Sequence, residues 1–396
     1  MTVQNNGMIR GREIKFFATV SDPSWGYTNE QRDSFAVEYP RSYDENKKYP
    51  LYVIFHSAGH DIYSTVNCML TDGNHDIYHA PDDMFALVLD CRANSDNDND
   101  WWWGGINAVG EGDPSRGGTG RQPVENRCIA TVQWVVENYN IDTERIYAVG
   151  NSMGGSGALG VCLCRGDIFA AIKVNVPAGV RHAADRCCLD TVAPDGFSIP
   201  DPPVVVDYSA QNDVWSTGHE VLYKGMRDKR YALHGYWGEF GHQNNHAIIA
   251  EHNDLVHAIP VLDMKLHEAY PVFTNANTDD KNPWENKDNC DTAGQVNGFF
   301  RYENVSDTET EFAMKLWLLT PDEWKTRVEL PEKATADLLI RRVQKFTLAP
   351  GEEFNWSLTD DNGKTISGKS KADDAGKPMI DGITVTQTAQ VLKITK

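Results

Sequence analysis

The chain has 396 residues, of which 40% are apolar, and a net charge of −20. This length favours two domains, one of them large enough for a deep core, and also allows a single domain. The composition excludes collagen, disulfide-rich miniproteins and disordered chains. The 57 acidic residues outnumber the 37 basic ones and would repel nucleic-acid phosphates and anionic membrane surfaces, so neither partner is expected.

The N-terminal residues 1–12 are polar and lack the basic start, apolar stretch and cleavage site of a secretory signal. We therefore expect either a cytoplasmic protein or a secreted or periplasmic one whose signal has been removed. The longest apolar runs are strand-sized, well short of the roughly 20 residues of a membrane-spanning helix. The eight cysteines follow no regular spacing and several lie in apolar runs, which favours buried free thiols, with one or two disulfides as the alternative.

Between about residues 34 and 240, short apolar runs alternate with helix-compatible stretches, which indicates an α/β fold with a mostly parallel central sheet. Residues 34–39 alternate and predict an antiparallel edge strand. Helical spacing of apolar residues predicts helices over 123–138 and 219–228. Near-continuous apolar runs predict central strands buried on both faces, at 51–55, 85–89, 145–149, 171–176, 204–208 and 230–235.

Beyond about residue 290 the pattern changes to alternating segments separated by Pro, Gly and Asp-Asn-Gly turns. The sequence Asp361-Asn362-Gly363 predicts a hairpin turn. We expect a large α/β domain over residues 1–291 and a small all-β, sandwich-like domain over residues 292–396. The strands predicted in the second domain are 298–302, 312–319, 338–348, 353–358, 383–388 and 391–395.

The clearest motif is Gly-x-Ser-x-Gly at Gly150, Ser152 and Gly154, directly after a predicted strand and before a run of small residues. In that context the serine lies on a strained strand-to-helix turn that exposes its hydroxyl, and glycines are needed where backbones pass closely. The motif predicts that Ser152 is a nucleophile.

A nucleophilic serine needs a base and a carboxylate that orients the base, here in the chain order serine, acid, histidine. Asp213 follows the predicted strand 204–208, and His242 follows the predicted strand 230–235. We favour these two residues. Asp207 is the alternative acid, although it lies within a predicted strand, and His234 and His246 are alternative bases.

The attack of the serine places negative charge on a carbonyl oxygen, which two backbone amides must stabilise. Met153, directly after the nucleophile, is expected to provide one amide. We assign the other to Ala58, in the loop after the predicted strand 51–55.

Four motifs together resemble those of α/β-hydrolase serine esterases: residues 56–59 (His-Ser-Ala-Gly), 150–155 (Gly-Asn-Ser-Met-Gly-Gly), 209–213 and 241–242 (Gly-His). Within that group the chain is similar to the feruloyl and acetylxylan esterases of carbohydrate esterase family 1 and to related prolyl-oligopeptidase-superfamily hydrolases. The resemblance covers about residues 34–260 and implies an α/β-hydrolase fold with a Ser152, His242 and Asp213 triad. Ser57 departs from the pattern, since these enzymes usually carry Gly there. The C-terminal segment resembles a small β-sandwich appended to some bacterial hydrolases of this type.

Tryptophans are concentrated near the predicted site, in a long loop after one strand and beside the proposed acid and base. Indole rings bind the apolar faces of sugars and phenolic rings, although such rings also pack under loops. We predict substrate-binding roles for Trp101, Trp102, Trp103, Trp215 and Trp237.

No cofactor and no catalytic metal ion are expected, because the cysteine pairs lack zinc-ligand spacing and His242 and His246 lack the Glu of a His-Glu-x-x-His site. The leading hypothesis is a serine esterase that hydrolyses feruloyl or acetyl esters on plant polysaccharide or its oligosaccharides. A serine peptidase or broad aryl-ester hydrolase of the same fold, and an inert glycan-binding protein, are the alternatives. The sequence makes no prediction of the oligomeric state.

Overall fold

The computed structural model describes residues 1–73, 75–91, 100–105, 118–285 and 293–396. None of the helices in these ranges is long and apolar enough to cross a bilayer. The strands are β1 Thr2–Ile9, β2 Arg12–Val20, β3 Arg32–Glu38, β4 Tyr49–Phe55, β5 Phe85–Leu89, β6 Asp100–Trp101, β7 Gly104–Gly105, β8 Ile141–Asn151, β9 Ala171–Asn175, β10 Val204–Ala210, β11 Leu233–Gly238, β12 Tyr270–Thr274, β13 Gly294–Val296, β14 Phe300–Asp307, β15 Glu311–Leu318, β16 Lys333–Arg341, β17 Glu353–Asp360, β18 Thr365–Lys371, β19 Met379–Thr386 and β20 Gln390–Thr395. The α-helices are α1 Ile62–Cys68, α2 Pro123–Asn138, α3 Met153–Cys162, α4 Arg181–Arg186, α5 His219–Asp228 and α6 His246–His252.

Ten strands form one large sheet in the order β1-β2-β3-β5-β4-β8-β9-β10-β11-β13. The six strands from β5 to β11 run parallel, whereas β1, β2, β3 and β13 pair antiparallel. A parallel central sheet with helical crossovers is the α/β architecture predicted from the alternation of apolar runs and helix patterns.

Both faces of this sheet are covered. Every residue of β4 is buried, as two-sided burial requires. Tyr52 and Ile54 pack on one face with residues of α1 and α6, while Leu51 and Val53 belong to a second cluster that contains residues of α2, α3, α4 and α5.

The predicted helices 123–138 and 219–228 have the observed bounds of α2 and α5, and the predicted central strands correspond to β4, β5 and β8–β11. The edge-strand prediction for residues 34–39 is wrong. Strand β3 is antiparallel as expected, but the β1–β2 hairpin lies outside it. The hairpin went unpredicted because β1 is polar and almost wholly exposed, so its sequence has no apolar alternation.

The C-terminal strands form two antiparallel sheets, β12-β16-β19 and β14-β15-β20-β17-β18, whose buried residues share one core. Gly363 has a φ of +78° in the turn between β17 and β18, at the predicted hairpin. An all-β C-terminal region is therefore present, although residues 342–348 of the predicted strand 338–348 lie outside β16.

Two strands pair with the region on the other side of residue 291 along the chain. Strand β12 precedes residue 291 yet pairs with β16 of the C-terminal region, whereas β13 follows it and pairs with β11 of the large sheet. One apolar cluster runs without a break from a face of the large sheet into the C-terminal sheets. The boundary between residues 291 and 292 stays a prediction, because 286–292 lie outside the described residues.

The structure describes seven of the eight cysteines, and none of these seven forms a disulfide. Six are buried, as small apolar side chains would be, and Cys68 is half-buried. Cys290 lies outside the described residues.

Candidate active site

Ser152 lies on a sharp turn between the end of β8 and the start of α3, with φ +55° and ψ −125°. A Cβ atom at Gly150 would lie 2.2 Å from the Gly154 carbonyl oxygen, and one at Gly154 would lie 2.0 Å from the Phe55 carbonyl oxygen. Only glycine fits at both positions. The strained turn is possible because the chain has no side chains where the backbones meet.

The structure brings Ser152, His242 and Asp213 together at the carboxyl ends of three parallel strands. Ser152 Oγ lies 2.7 Å from His242 Nε2, and His242 Nδ1 lies 2.6 Å from Asp213 Oδ2. With the imidazole neutral, Nδ1 donates to the carboxylate and Nε2 accepts from the serine hydroxyl, a tautomer that we assign from this hydrogen-bond pattern. The arrangement can remove a proton from the serine oxygen.

The loops that carry the acid and the histidine are hydrogen-bonded to each other. Asp213 Oδ1 accepts from the Trp215 amide at 2.9 Å, and Asn212 Oδ1 accepts from the Gly241 amide at 2.8 Å. The Asp213 side chain is only 1% exposed, whereas that of His242 is 32% exposed. The carboxylate is thus fixed and shielded while the imidazole remains accessible to a substrate.

The alternative acid, Asp207, lies inside β10 and is fully buried. Its carboxyl accepts hydrogen bonds from Ser209 Oγ at 3.0 Å and from the Tyr223 hydroxyl at 2.7 Å. Burial raises the pKa of the Asp207 carboxyl to about 7. Asp207 therefore belongs to a buried polar group, whereas Asp213 contacts the histidine.

The alternative bases make other contacts. His234 is hydrogen-bonded through Nδ1 to the Asn297 carbonyl oxygen at 3.0 Å, and burial lowers the pKa of its imidazole to about 4. His246 begins α6, stacks on His257 and lies 3.5 Å from an Asp76 carboxylate oxygen. Of the three histidines, His242 is the one whose contacts match those of a general base.

The loop after β4 is held against the nucleophile turn. The Ser57 amide donates to the Tyr78 hydroxyl at 2.8 Å, and Ser57 Oγ donates to the Asn151 carbonyl oxygen at 2.9 Å. The Ser57 side chain therefore points toward β8 and ties the loop to it. No local pattern indicates the role of Tyr78, which lies 21 residues from Ser57 along the chain.

The two predicted oxyanion donors are available for a ligand. Met153 begins α3, so its amide has no acceptor within the helix. Ala58 is exposed in the loop after β4. In the part of the chain that the structure describes, neither amide donates a hydrogen bond. Their assignment as oxyanion donors stays a prediction.

The structure corrects the prediction for Trp102. Its side chain is fully buried, its Nε1 donates to the His56 carbonyl oxygen at 3.0 Å, and its ring packs edge-on against Phe55. A Cβ at Gly157 of α3 would come within 2.4 Å of the indole. Trp102 therefore packs between α3 and the loop after β4, and its ring has no surface to offer a substrate.

The prediction for Trp237 is corrected for the same reason. This residue of β11 is 1% exposed and packs against Tyr223 and Trp284. A buried strand residue cannot line an open site, even though it lies five positions before the proposed base.

The other three tryptophans predicted to bind substrate have side chains that are partly or largely exposed. Trp101 and Trp103 are partly buried and stack on each other with ring centroids 5.6 Å apart, and Trp103 also contacts His182. Trp215, two residues after the proposed acid, is 60% exposed. These three remain candidates for substrate contact.

Among the described residues, one group of side chains has the geometry to hold a metal ion. One nitrogen each of His60 and His75 and the sulfur of Cys68 lie within 4.8 Å of one another. The spacing of these residues along the chain is not that of a zinc motif such as His-Glu-x-x-His, so the group can be recognised only in the folded chain.

Residues 28–179 match the model of a family described as a putative esterase. An S-formylglutathione hydrolase from Agrobacterium tumefaciens is 14% identical, with 61% of this chain and 93% of that chain covered and a TM-score of 0.42. A CE1 ferulic acid esterase from the anaerobic fungus Anaeromyces mucronatus is 18% identical, with 61% and 88% covered and a TM-score of 0.40. Likeness at this level identifies neither the activity nor the substrate of this chain. A search of curated protein sequences gives no match. The family match includes the loop after β4 and the serine turn, and it confirms the predicted resemblance to α/β-hydrolase serine esterases for the segment that holds Ser152.

Proposed function

We propose that this protein hydrolyses carboxylic esters with Ser152 as nucleophile, His242 as general base and acid, and Asp213 as the residue that orients the histidine. The single observation that carries the proposal is the continuous hydrogen-bonded series Ser152 Oγ, His242 imidazole and Asp213 carboxylate, with distances of 2.7 and 2.6 Å. This geometry needs no rearrangement before proton transfer.

In the first half of the reaction, Ser152 Oγ attacks the ester carbonyl carbon while its proton moves to His242 Nε2. The carbonyl oxygen becomes negatively charged and accepts hydrogen bonds from the Ala58 and Met153 amides. The C–O bond to the alcohol then breaks, and the imidazolium returns the proton to the departing alkoxide. The product is an acyl-enzyme in which the acyl group is esterified to Ser152.

In the second half, water takes the place of the alcohol. His242 Nε2 accepts a proton from the water as its oxygen attacks the acyl carbon, and the same amides receive the oxyanion. Collapse of the intermediate breaks the bond to Ser152 Oγ, which regains its proton from the imidazolium. The free acid leaves, and the site returns to its starting state.

The fixed environment of Asp213 supports this role. Its buried carboxylate holds the Nδ1–H of His242 and stabilises the imidazolium that forms in each half of the reaction. The hydrogen bond from Ser57 Oγ to the Asn151 carbonyl oxygen supports the oxyanion role of the neighbouring Ala58, because it fixes that loop beside the nucleophile.

For the substrate we propose a feruloyl or acetyl ester on plant polysaccharide or its oligosaccharides. The exposed indole of Trp215 beside the acid, together with the partly exposed Trp101 and Trp103, supports an aromatic acyl group or a sugar ring, because both bury apolar faces on indole. The resemblance to carbohydrate esterase family 1 supports the same substrate class.

The test is a hydrolysis panel on the wild type and the Ser152→Ala variant, with methyl ferulate, a feruloylated arabino-oligosaccharide, acetylated xylan, p-nitrophenyl acetate and a prolyl p-nitroanilide. We expect the highest kcat/KM for the feruloyl sugar or acetylated xylan and no measurable turnover by the variant. A fluorophosphonate should label the wild type and leave the variant unlabelled.

Other results would redirect the proposal. Cleavage of the anilide alone would indicate a peptidase, and comparable rates on every small ester would indicate a broad aryl-ester hydrolase. Labelling of neither protein, with no turnover of any substrate, would overturn the enzymatic role and favour glycan binding.

A further inference from the structure

Two histidines and a cysteine meet beside the proposed active site, in the segment between β4 and β5. His60 follows the loop that carries Ala58, Cys68 ends α1, and His75 precedes a short 3₁₀ helix at Asp76–Tyr78. Cys68 Sγ lies 3.9 Å from His60 Nδ1, and the two imidazole centroids are 4.7 Å apart. One donor atom from each residue falls within 4.8 Å of the other two, a separation that small shifts would bring to that of ligands around one ion.

The imidazole of His75 is partly buried. Within the described ranges, His75 Nδ1 is a buried atom without a hydrogen-bond partner. An unsatisfied buried nitrogen of this kind is costly unless something binds it.

The backbone at His75 is strained and well supported. Its φ of +53° lies in the left-handed region, which few residues other than glycine occupy. The ring stacks on Tyr78, with centroids 5.1 Å apart, and the Tyr78 amide donates to the His75 carbonyl oxygen at 2.8 Å. In this conformation the imidazole contacts that of His60, and strain held in place by surrounding contacts is common at functional sites.

We propose that His60, Cys68 and His75 bind a divalent transition-metal ion of the Zn²⁺ class, and that the bound ion lowers the activity of the adjacent triad. Two imidazoles and a thiolate are ligands that Zn²⁺ prefers, and water would complete a tetrahedral site. Binding releases the thiol proton of Cys68, which leaves one net positive charge on the ion and its three ligands.

The regulatory part rests on the proposed function and follows from where the cluster lies. His60 lies two residues after Ala58, the proposed oxyanion donor, so the cluster adjoins the loop that is to receive the oxyanion. His60 also donates its amide hydrogen to the Ser57 carbonyl oxygen at 3.3 Å, across the loop that carries Ala58. A metal ion on His60 would therefore act on the loop that carries Ala58.

The binding test uses tag-free protein stripped of metal with a chelator and titrated with Co²⁺, which reports thiolate ligation by a near-ultraviolet charge-transfer band. We expect one Co²⁺ per chain, displaced by Zn²⁺. The Cys68→Ser variant should lose the band, and His75→Asn, which keeps a residue tolerant of positive φ, should weaken Co²⁺ binding by more than about tenfold. The matched control is His267→Asn, since His267 is an exposed histidine paired with Glu144 away from the cluster.

The activity test compares kcat/KM with and without saturating Zn²⁺ for each protein. Zn²⁺ should reduce the wild-type and His267→Asn values by about tenfold or more, whereas the ratio for Cys68→Ser should stay near one. Circular dichroism checks the folding of each variant. If Cys68→Ser fails to fold, His75→Asn provides the test, because its charge-transfer band should require more Co²⁺ than that of the wild type.

Absence of the charge-transfer band in the wild type, or its persistence in Cys68→Ser, would overturn the metal site. A normal band with no loss of activity would overturn the regulatory coupling. Failure of the proposed function gives a separate result, namely an intact cobalt band in a protein that neither hydrolyses esters nor reacts with a fluorophosphonate.

Discussion

The parallel strands of the large sheet and the antiparallel strands of the C-terminal region bury their residues in different ways. All seven residues of β10 are buried, whereas β17 buries only two of its eight residues, Phe354 and Leu358. A strand covered on both faces has no open surface along its length, so polar groups that must meet a substrate can lie only beyond its end. Strand β17 instead leaves alternate residues exposed or partly exposed along its length.

The proposed catalytic residues follow this rule. Ser152, Asp213 and His242 all lie in loops after parallel strands, and none of the predicted site residues comes from the C-terminal sheets. The C-terminal region contributes apolar residues to the core that covers one face of the large sheet. The proposed chemistry therefore lies at the strand ends of the large sheet, while the C-terminal region adds to the apolar core.

The largest loss of activity should come from replacing the nucleophile at a strand end. Ser152→Ala should lower kcat/KM for a cleavable ester by about 10⁴-fold or more, because the nucleophile is lost, with little change in the free energy of unfolding. Steady-state kinetics and urea unfolding measure the two quantities. The matched control is Ser367→Ala, an exposed serine on β18, which should leave both unchanged. Retained activity in Ser152→Ala would show that the chemistry lies elsewhere.

The opposite pattern is expected in the C-terminal sheets. Phe354→Ala removes a buried ring from the shared core and should reduce the free energy of unfolding by about 3–5 kcal/mol, with kcat/KM unchanged below the unfolding transition. Because the core is continuous, urea unfolding followed by circular dichroism and by activity should give one coincident transition. Two separate transitions would mean that the regions are independent.

A third prediction distinguishes a strand interior from a strand end. The buried Asp207 has a pKa of about 7 in the folded protein against 3.8 for the unperturbed group, so the folded state holds an extra proton between these values. Its contribution should therefore make stability fall as pH rises from about 4 to 7, by up to about 1.4 kcal/mol per pH unit.

The measurement is urea unfolding of the wild type and Asp207→Asn across this pH range. The variant should show a smaller decline, and the difference between the two curves isolates this one carboxyl from other buried acids. Asp207→Asn should also keep most of the activity, whereas Asp213→Asn should lose it. Equal losses from both substitutions would argue against Asp213 as the acid.

The smallest effect is expected for the KM of variants at Trp215, the exposed tryptophan beside Asp213. Trp215→Ala should raise KM for a feruloyl ester by about fivefold, roughly 1 kcal/mol of aromatic contact, and change KM for an acetyl ester less. Trp356→Ala, in the partly buried part of β17, is the control and should leave both values unchanged. An equal rise for the two esters would assign Trp215 a structural role.

Much of the large sheet was predictable because its signals are local. Strand β5 and helices α2 and α5 begin and end where apolar patterning placed them, and Ser152 lies within a motif of five residues. Asp213 and His242 could be selected because each follows a recognisable strand, and parallel strands end at the same edge of a sheet. Their mutual hydrogen bonds are consistent with that selection.

The features that the sequence analysis missed or predicted wrongly depend on contacts between distant parts of the chain. Composition near the site could not show that Trp102 and Trp237 turn inward, because burial depends on which side of the backbone meets the core. The exchange of β12 and β13 joins residues separated by more than 50 positions, and no local pattern encodes such a pairing. The His60, Cys68 and His75 group likewise depends on the fold of the segment between β4 and β5.

The pairing of β12 with β16 and of β13 with β11 limits how this chain can be divided. A chain cut at residue 291 would lose β13, so the edge of β11 would have open hydrogen-bonding groups, and β12 would lose β16. Unpaired strand edges recruit other chains, so the truncated protein should aggregate instead of folding as a smaller enzyme. The C-terminal region is therefore not a detachable module. Recombination between genes could exchange it only together with the last strands of the large sheet, so the two regions should be inherited as one unit.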